Sequence, residues 1–79
     1  MMPLSMAQPG ETVKLVALRG GYQLRKRLAD LGLTLDMPLR LVQANGHGPL
    51  IVAVKGTRLA IGRALAHHIM VEPILEYEE

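Results

Sequence analysis

The apolar positions of this chain change period several times, and each change marks an element. From Thr12 to Leu18 the residues are mostly β-branched or aliphatic, with Val13, Leu15 and Ala17 at alternate positions. This predicts a strand with those three residues on one face. Gly20 and Gly21 break the pattern, and Leu24, Leu28 and Leu31 then recur at helical spacing between Tyr22 and Leu31. At about 100° per residue these leucines share a narrow arc, with Lys26 pointing away and Arg27 bordering the stripe. Gly32 follows as a C-terminal stop, so the segment predicts one amphipathic helix.

Alternation returns downstream. Thr34 to Pro38 has turn chemistry, with Pro38 biasing Met37 towards an extended backbone, and Leu39 to Ala44 reads as a half-buried strand. The run from Asn45 to Pro49 is the densest turn signal in the chain, and beyond it Leu50 to Val54 completes a hairpin. Gly56 and Thr57 turn the chain into a short strand over Arg58 to Ile61. Between Gly62 and His68, Leu65 lies four residues from both Ile61 and Ile69, which suits one or two helical turns with a buried edge. Ile69 to Ile74 closes the fold as a strand whose Pro73 belongs at a sheet edge. The fold class is therefore mainly β, a small partly open barrel of about five strands with one amphipathic helix after the first strand and a short helix before the last. Residues 1–9 are expected as a flexible N-terminus, 10–75 as the folded domain and 76–79 as an acidic tail.

Composition narrows what such a barrel can do. The chain is 79 residues long and 49% hydrophobic, yet it has no Phe or Trp and only two tyrosines, Tyr22 and Tyr77. One domain fills that length, and its core must be aliphatic. Readers of single-stranded nucleic acid stack bases on aromatic side chains, so no nucleic-acid partner is expected. The absence of cysteine excludes a disulfide and fits a reducing, cytoplasmic compartment. The first ten residues lack a basic start and an apolar core of the kind a signal peptide needs, and the longest apolar run, Leu50 to Val54, is strand-sized. A soluble cytoplasmic protein is expected.

Charge is divided unevenly. Residues 11–71 hold all nine Lys and Arg against Glu11, Asp30 and Asp36, a balance of +6, whereas Glu72, Glu76, Glu78 and Glu79 make the end −4. A basic body suits an acidic partner or anionic lipid headgroups, and equally an ordinary solvated face. The densest part is Arg25, Lys26 and Arg27 on the predicted helix. Spread around the helix, these residues do not make a stripe for a DNA groove. Lys26 and Arg27 can each approach Asp30. Solvated charge and a docking surface both account for them.

Catalytic chemistry finds little material. Asp30 and Asp36 bracket a turn, Ser5 lies in the N-terminal lead-in, and no phosphate-binding glycine pattern occurs. His47, His67 and His68 are the only imidazoles. Adjacent histidines on a helix diverge by about 100°, and no carboxylate stands at ligand spacing, so no metal site and no cofactor are expected. The chain is expected not to be an enzyme.

Arg27 and Leu28 followed by Gly32 and Leu33, then a turn and an alternating strand, resemble the signature of the ferrous iron transport protein A (FeoA) family. The likeness continues through Gly48, Pro49, Leu50 to Val54, Gly56, Leu59 to Arg63, Ala66 and Ile69 to Val71, covering roughly residues 9–72. Leu35 and Asp36 stand where the family commonly has Pro-Gly. The resemblance implies an SH3-like barrel and a small accessory protein of bacterial ferrous iron uptake. It further implies a partner, the cytosolic region of an FeoB-like membrane GTPase transporter, through which alone this chain would reach the membrane. Tyr22, Arg25, Lys26 and Arg27 are the candidate contact residues. The same SH3-like module resembles the C-terminal domain of metal-dependent repressors of the diphtheria toxin repressor type, which leaves a regulatory domain as the alternative.

Overall fold

The computed structural model describes residues 1–74, so the expected acidic tail and Tyr77 lie outside the described residues. The alternating segments become β1 (Met2–Pro3), β2 (Thr12–Leu18), β3 (Pro38–Ala44), β4 (Leu50–Val54), β5 (Thr57–Ile61) and β6 (Ile69–Pro73). The helices are α1 (Tyr22–Asp30) and α2 (Arg63–Ala66), and a 3-10 turn spans Leu4–Met6. All neighbouring strands are antiparallel, in the order β1-β6-β2-β3-β4-β5.

Flat, six strands spaced about 4.8 Å apart would hold the edge strands about 24 Å from one another. Yet Met2 of β1, Leu4 beside it, and Leu59 and Ile61 of β5 all pack on one cluster. The sheet therefore curls around a single core and leaves β1 and β5 as unjoined edges, which makes it a partly open, SH3-like barrel. Its largest fully buried side chains are Leu, Ile and Val, including Val13, Leu15, Leu39, Leu41, Leu50, Val52, Ile69 and Val71, and no polar or charged residue among those described is buried.

The N-terminal segment 1–9, expected to be flexible, instead contributes to the barrel. Met2 and Pro3 pair with Val71 and Met70, and the Leu4 side chain is 0% exposed. The 3-10 turn is closed by the Ala7 N–H donating to the Leu4 carbonyl at 3.0 Å, and Ser5 Oγ lies 2.7 Å from His67 Nδ1 at the end of α2. A two-residue strand carries no period, which is why the sequence pattern predicts five strands and the fold has six.

A second difference lies within β2. Leu15 pairs with Val71 but Ala17 pairs with Met70, so the register slips at Val16. One extra residue on a strand flips every later side chain to the other face. The inward set is accordingly Val13, Leu15 and Leu18, and Leu18 rather than Ala17 packs against the core. A similar slip at Val42 lies between the pairs Leu41–Val52 and Gln43–Ile51. The β4–β5 turn is also displaced by one residue from its expected place. Val54 pairs with Thr57, and Lys55 (φ 50°) and Gly56 (φ 78°) form the two-residue loop whose twist matches a hairpin.

Candidate protein-docking surface

Helix α1 owes its position to its C-terminal end. The Leu33 N–H donates to the Leu28 carbonyl and the Gly32 N–H to the Ala29 carbonyl, at 3.1 and 2.9 Å, the paired bonds of a Schellman motif. Gly32 takes φ +82°, where a side chain would be strained, and the apolar contact that accompanies such an ending falls on Leu28 and Leu33, both buried. These bonds fix the direction in which the chain leaves the helix. A turn follows in which the Met37 N–H reaches the Thr34 carbonyl at 3.3 Å with Asp36 at φ 68°. Asp36 thus takes the left-handed position that glycine would fill in a type II turn. Its N–H donates to the Leu15 carbonyl at 2.7 Å and ties the loop to β2.

Among the described residues, that flank of β2 has no strand partner beyond Leu15. β3 pairs only with Thr12, Val13 and Lys14, while Leu18 pairs with β6 on the other flank. The space between this open flank and α1 is a groove of about 340 Å³. Val16, Ala17 and Leu18 line it from the strand, Leu28 and Ala29 from the helix, and Leu33 and Leu35 from the loop. Among the described residues Arg25 is the only charged one in its wall. Leu35 is 60% exposed and Tyr22, in the first turn of α1, is 75% exposed; the other large apolar side chains so exposed among the described residues are Met1 and Met6.

The structure therefore separates the four residues singled out in the sequence. Arg25 lines the groove. Tyr22 stands exposed at the start of the helix, and Arg27 is exposed in its last turn. Lys26 alone meets Asp30, at 3.9 Å with both side chains more than half exposed, so the pairing expected for Arg27 does not form. Such an exposed pair contributes only a few tenths of a kcal/mol. Sequence reasoning missed Leu35 and the Val16 to Leu18 floor. Leu35 carried a signal, an apolar residue inside a turn, whereas the floor depends on the bulge.

Among the described residues no group of three or more His, Asp or Glu could hold a metal ion. His67 is engaged by Ser5, and both His67 and His68 are exposed. What the surface offers is an apolar slot with a cationic wall, suited to receiving an apolar side chain flanked by carboxylates.

A curled antiparallel sheet with a helix between its second and third strands, and a groove beside that helix, defines a small SH3-like domain. The family model of the FeoA domain matches residues 2–73, and the chain belongs to the FeoA family. A Methanocaldococcus jannaschii protein provisionally named Fe(2+) transport protein A is 39% identical over 72 residues, covering 91% of this chain and 87% of that protein. The crystal structure of an iron uptake regulatory protein, FeoA, superposes with a TM-score of 0.84 at 36% identity, over 92% of this chain and 96% of that one. The manganese regulator SloR shares the fold, with a TM-score of 0.84 at 22% identity, over 92% of this chain but 34% of the regulator.

Proposed function

We propose that this protein is a non-catalytic accessory protein of ferrous iron uptake that docks on the cytosolic region of an FeoB-like membrane GTPase transporter and modulates it. Membership of the FeoA family and the names of its relatives support the iron-uptake part of this reading. The observation that carries the docking part is the open groove beside α1, apolar in its floor and bordered by Arg25, in a protein whose other apolar side chains largely fill its own core. Burying one partner side chain there contributes about 1.5–3 kcal/mol. Tyr22 offers an amphipathic contact with few rotatable bonds, and Arg25, Lys26 and Arg27 attract carboxylates on approach.

The fold shared with SloR gives a second reading, in which the same groove docks on a metal-dependent repressor. Calorimetric titration of the protein against the isolated cytosolic domain of the transporter tests the first reading. Saturable binding that weakens with salt is expected. No heat and no change in sedimentation with that domain, together with binding to the repressor, would transfer the function to the second.

A further inference from the structure

The outer face of the sheet carries a second cationic surface, remote in sequence from α1. In the antiparallel register Arg40 lies directly across from Ala53, and Ala53 directly across from Arg58. Directly opposed residues share a face, so the two arginines stand on the outside of the barrel with only a methyl group between them. Leu39, Leu41, Val52 and Ile61 on the alternate positions are buried, and Arg40 and Arg58 are exposed. Two strand steps separate the arginine backbones by roughly 10 Å, within the reach of both side chains to one anion or to adjacent ones. Lys55, exposed, lies in the turn between β4 and β5, and Lys14 lies across from Pro38 on the neighbouring strands.

Among the described residues little neutralises these charges. The only acidic residue at an outward position of β2 to β6 is Glu72, which is across from Lys14 and not from either arginine. Among the described residues the single ion pair is Lys26 with Asp30, on α1. Like charges two strands apart without a carboxylate between them oppose folding slightly, and a stable anionic partner relieves this.

The character of the face selects the partner. Among the described residues the large apolar side chains that are well exposed are Met1, Met6, Tyr22 and Leu35, and none belongs to β3, β4 or β5, so these strands offer no well-exposed apolar anchor of the kind that centres a protein interface. It has no aromatic residue on which a base could stack. We propose that the face bearing Arg40, Lys55 and Arg58 binds the anionic headgroups of a membrane leaflet directly. This surface is independent of the docking groove and goes beyond attachment to the membrane through a protein partner. Three or four cations give a weak, reversible, salt-sensitive association, and a basic surface residue adds about fivefold to partitioning, equivalent to about 1 kcal/mol.

The test is co-sedimentation of the full chain with vesicles of phosphatidylcholine alone and of phosphatidylcholine mixed with phosphatidylglycerol. Binding to the mixed vesicles only, lost at high salt, is expected. Arg40→Ala/Arg58→Ala should weaken partitioning about 25-fold, while Arg25→Ala/Lys26→Ala, with the same change in net charge, should weaken it far less. Circular dichroism establishes that both variants are folded. Equal losses in the two variants would mean general attraction by a basic body and would overturn the proposal. So would binding to neutral vesicles, no binding to either vesicle, or a duplex oligonucleotide bound more tightly than the anionic vesicles and through the same arginines.

Discussion

Leu4→Ala separates a folded N-terminus from a loose one. Leu4 is 0% exposed, in a 3-10 turn joined to β1, and packs on the same cluster as Leu15 and Val71. Truncating a buried leucine costs about 2.7–5.0 kcal/mol, depending on how far the site collapses. The surrounding element is short, since β1 has two residues and the turn three, so partial collapse is easy and the loss belongs near the lower end, about 3 kcal/mol. A domain of this size has a total stability of ~4–12 kcal/mol. The change should therefore lower Tm by roughly 12–24 °C, at about 4–8 °C per kcal/mol. Urea unfolding followed by circular dichroism gives the free energy, and Met6→Ala, at a site 67% exposed in the same turn, serves as the control, with an effect below about 0.5 kcal/mol. A loss under about 1 kcal/mol for Leu4→Ala would refute the packing of residues 1–9 into the barrel.

Gly32→Ala isolates backbone strain, because φ is +82° and an added Cβ meets nothing within 4 Å; a loss of about 1 kcal/mol in urea unfolding is expected, and no loss would contradict the helix ending described above. Gly20→Ala should also cost stability, since its Cβ would clash with the Leu24 side chain, and no loss in urea unfolding would show that Leu24 moves aside freely. Anaerobic titration with ferrous iron should reveal no tight stoichiometric site; such a site, abolished by His47→Ala or His67→Ala, would show ligands brought together in a way the structure does not contain.

Most of the barrel was legible because its strands alternate against a single core and glycine stands at most of the left-handed turn positions, among them Gly32, Gly46 and Gly56. The stripe of Leu24, Leu28 and Leu31 with Gly32 after it identified α1, and the Schellman bonds to Leu28 and Ala29 supply the physical reason. What was not legible depends on contacts between distant segments. Nothing in the lead-in announces that Leu4 fills the core, because burial there is conferred by β6 and α2. The slip at Val16 is invisible in a stretch where every residue from Leu15 to Leu18 is apolar, and it reverses the facing of Ala17 and Leu18. The groove follows from that slip and from the loop pinned by Asp36. The basic run and Tyr22 therefore marked α1 as a surface, while the apolar groove beside it required the fold.

The central claim is that the groove beside α1, with its basic border, receives an acidic partner segment. The most direct measurement is a salt-dependent binding titration of the wild type, Arg25→Glu/Lys26→Glu, Tyr22→Ala and Leu35→Ala against the soluble cytosolic domain of an FeoB-like transporter. Each variant is first verified as folded by circular dichroism. The exposed positions of Tyr22, Arg25, Lys26 and Leu35 predict only small changes in stability, the largest from Lys26→Glu, which replaces the pair with Asp30 by a like-charge contact costing a few tenths of a kcal/mol. The charge reversals should slow association and flatten its salt dependence, and Tyr22→Ala and Leu35→Ala should each weaken binding through faster dissociation. Wild-type affinity in all of the folded variants would contradict the claim.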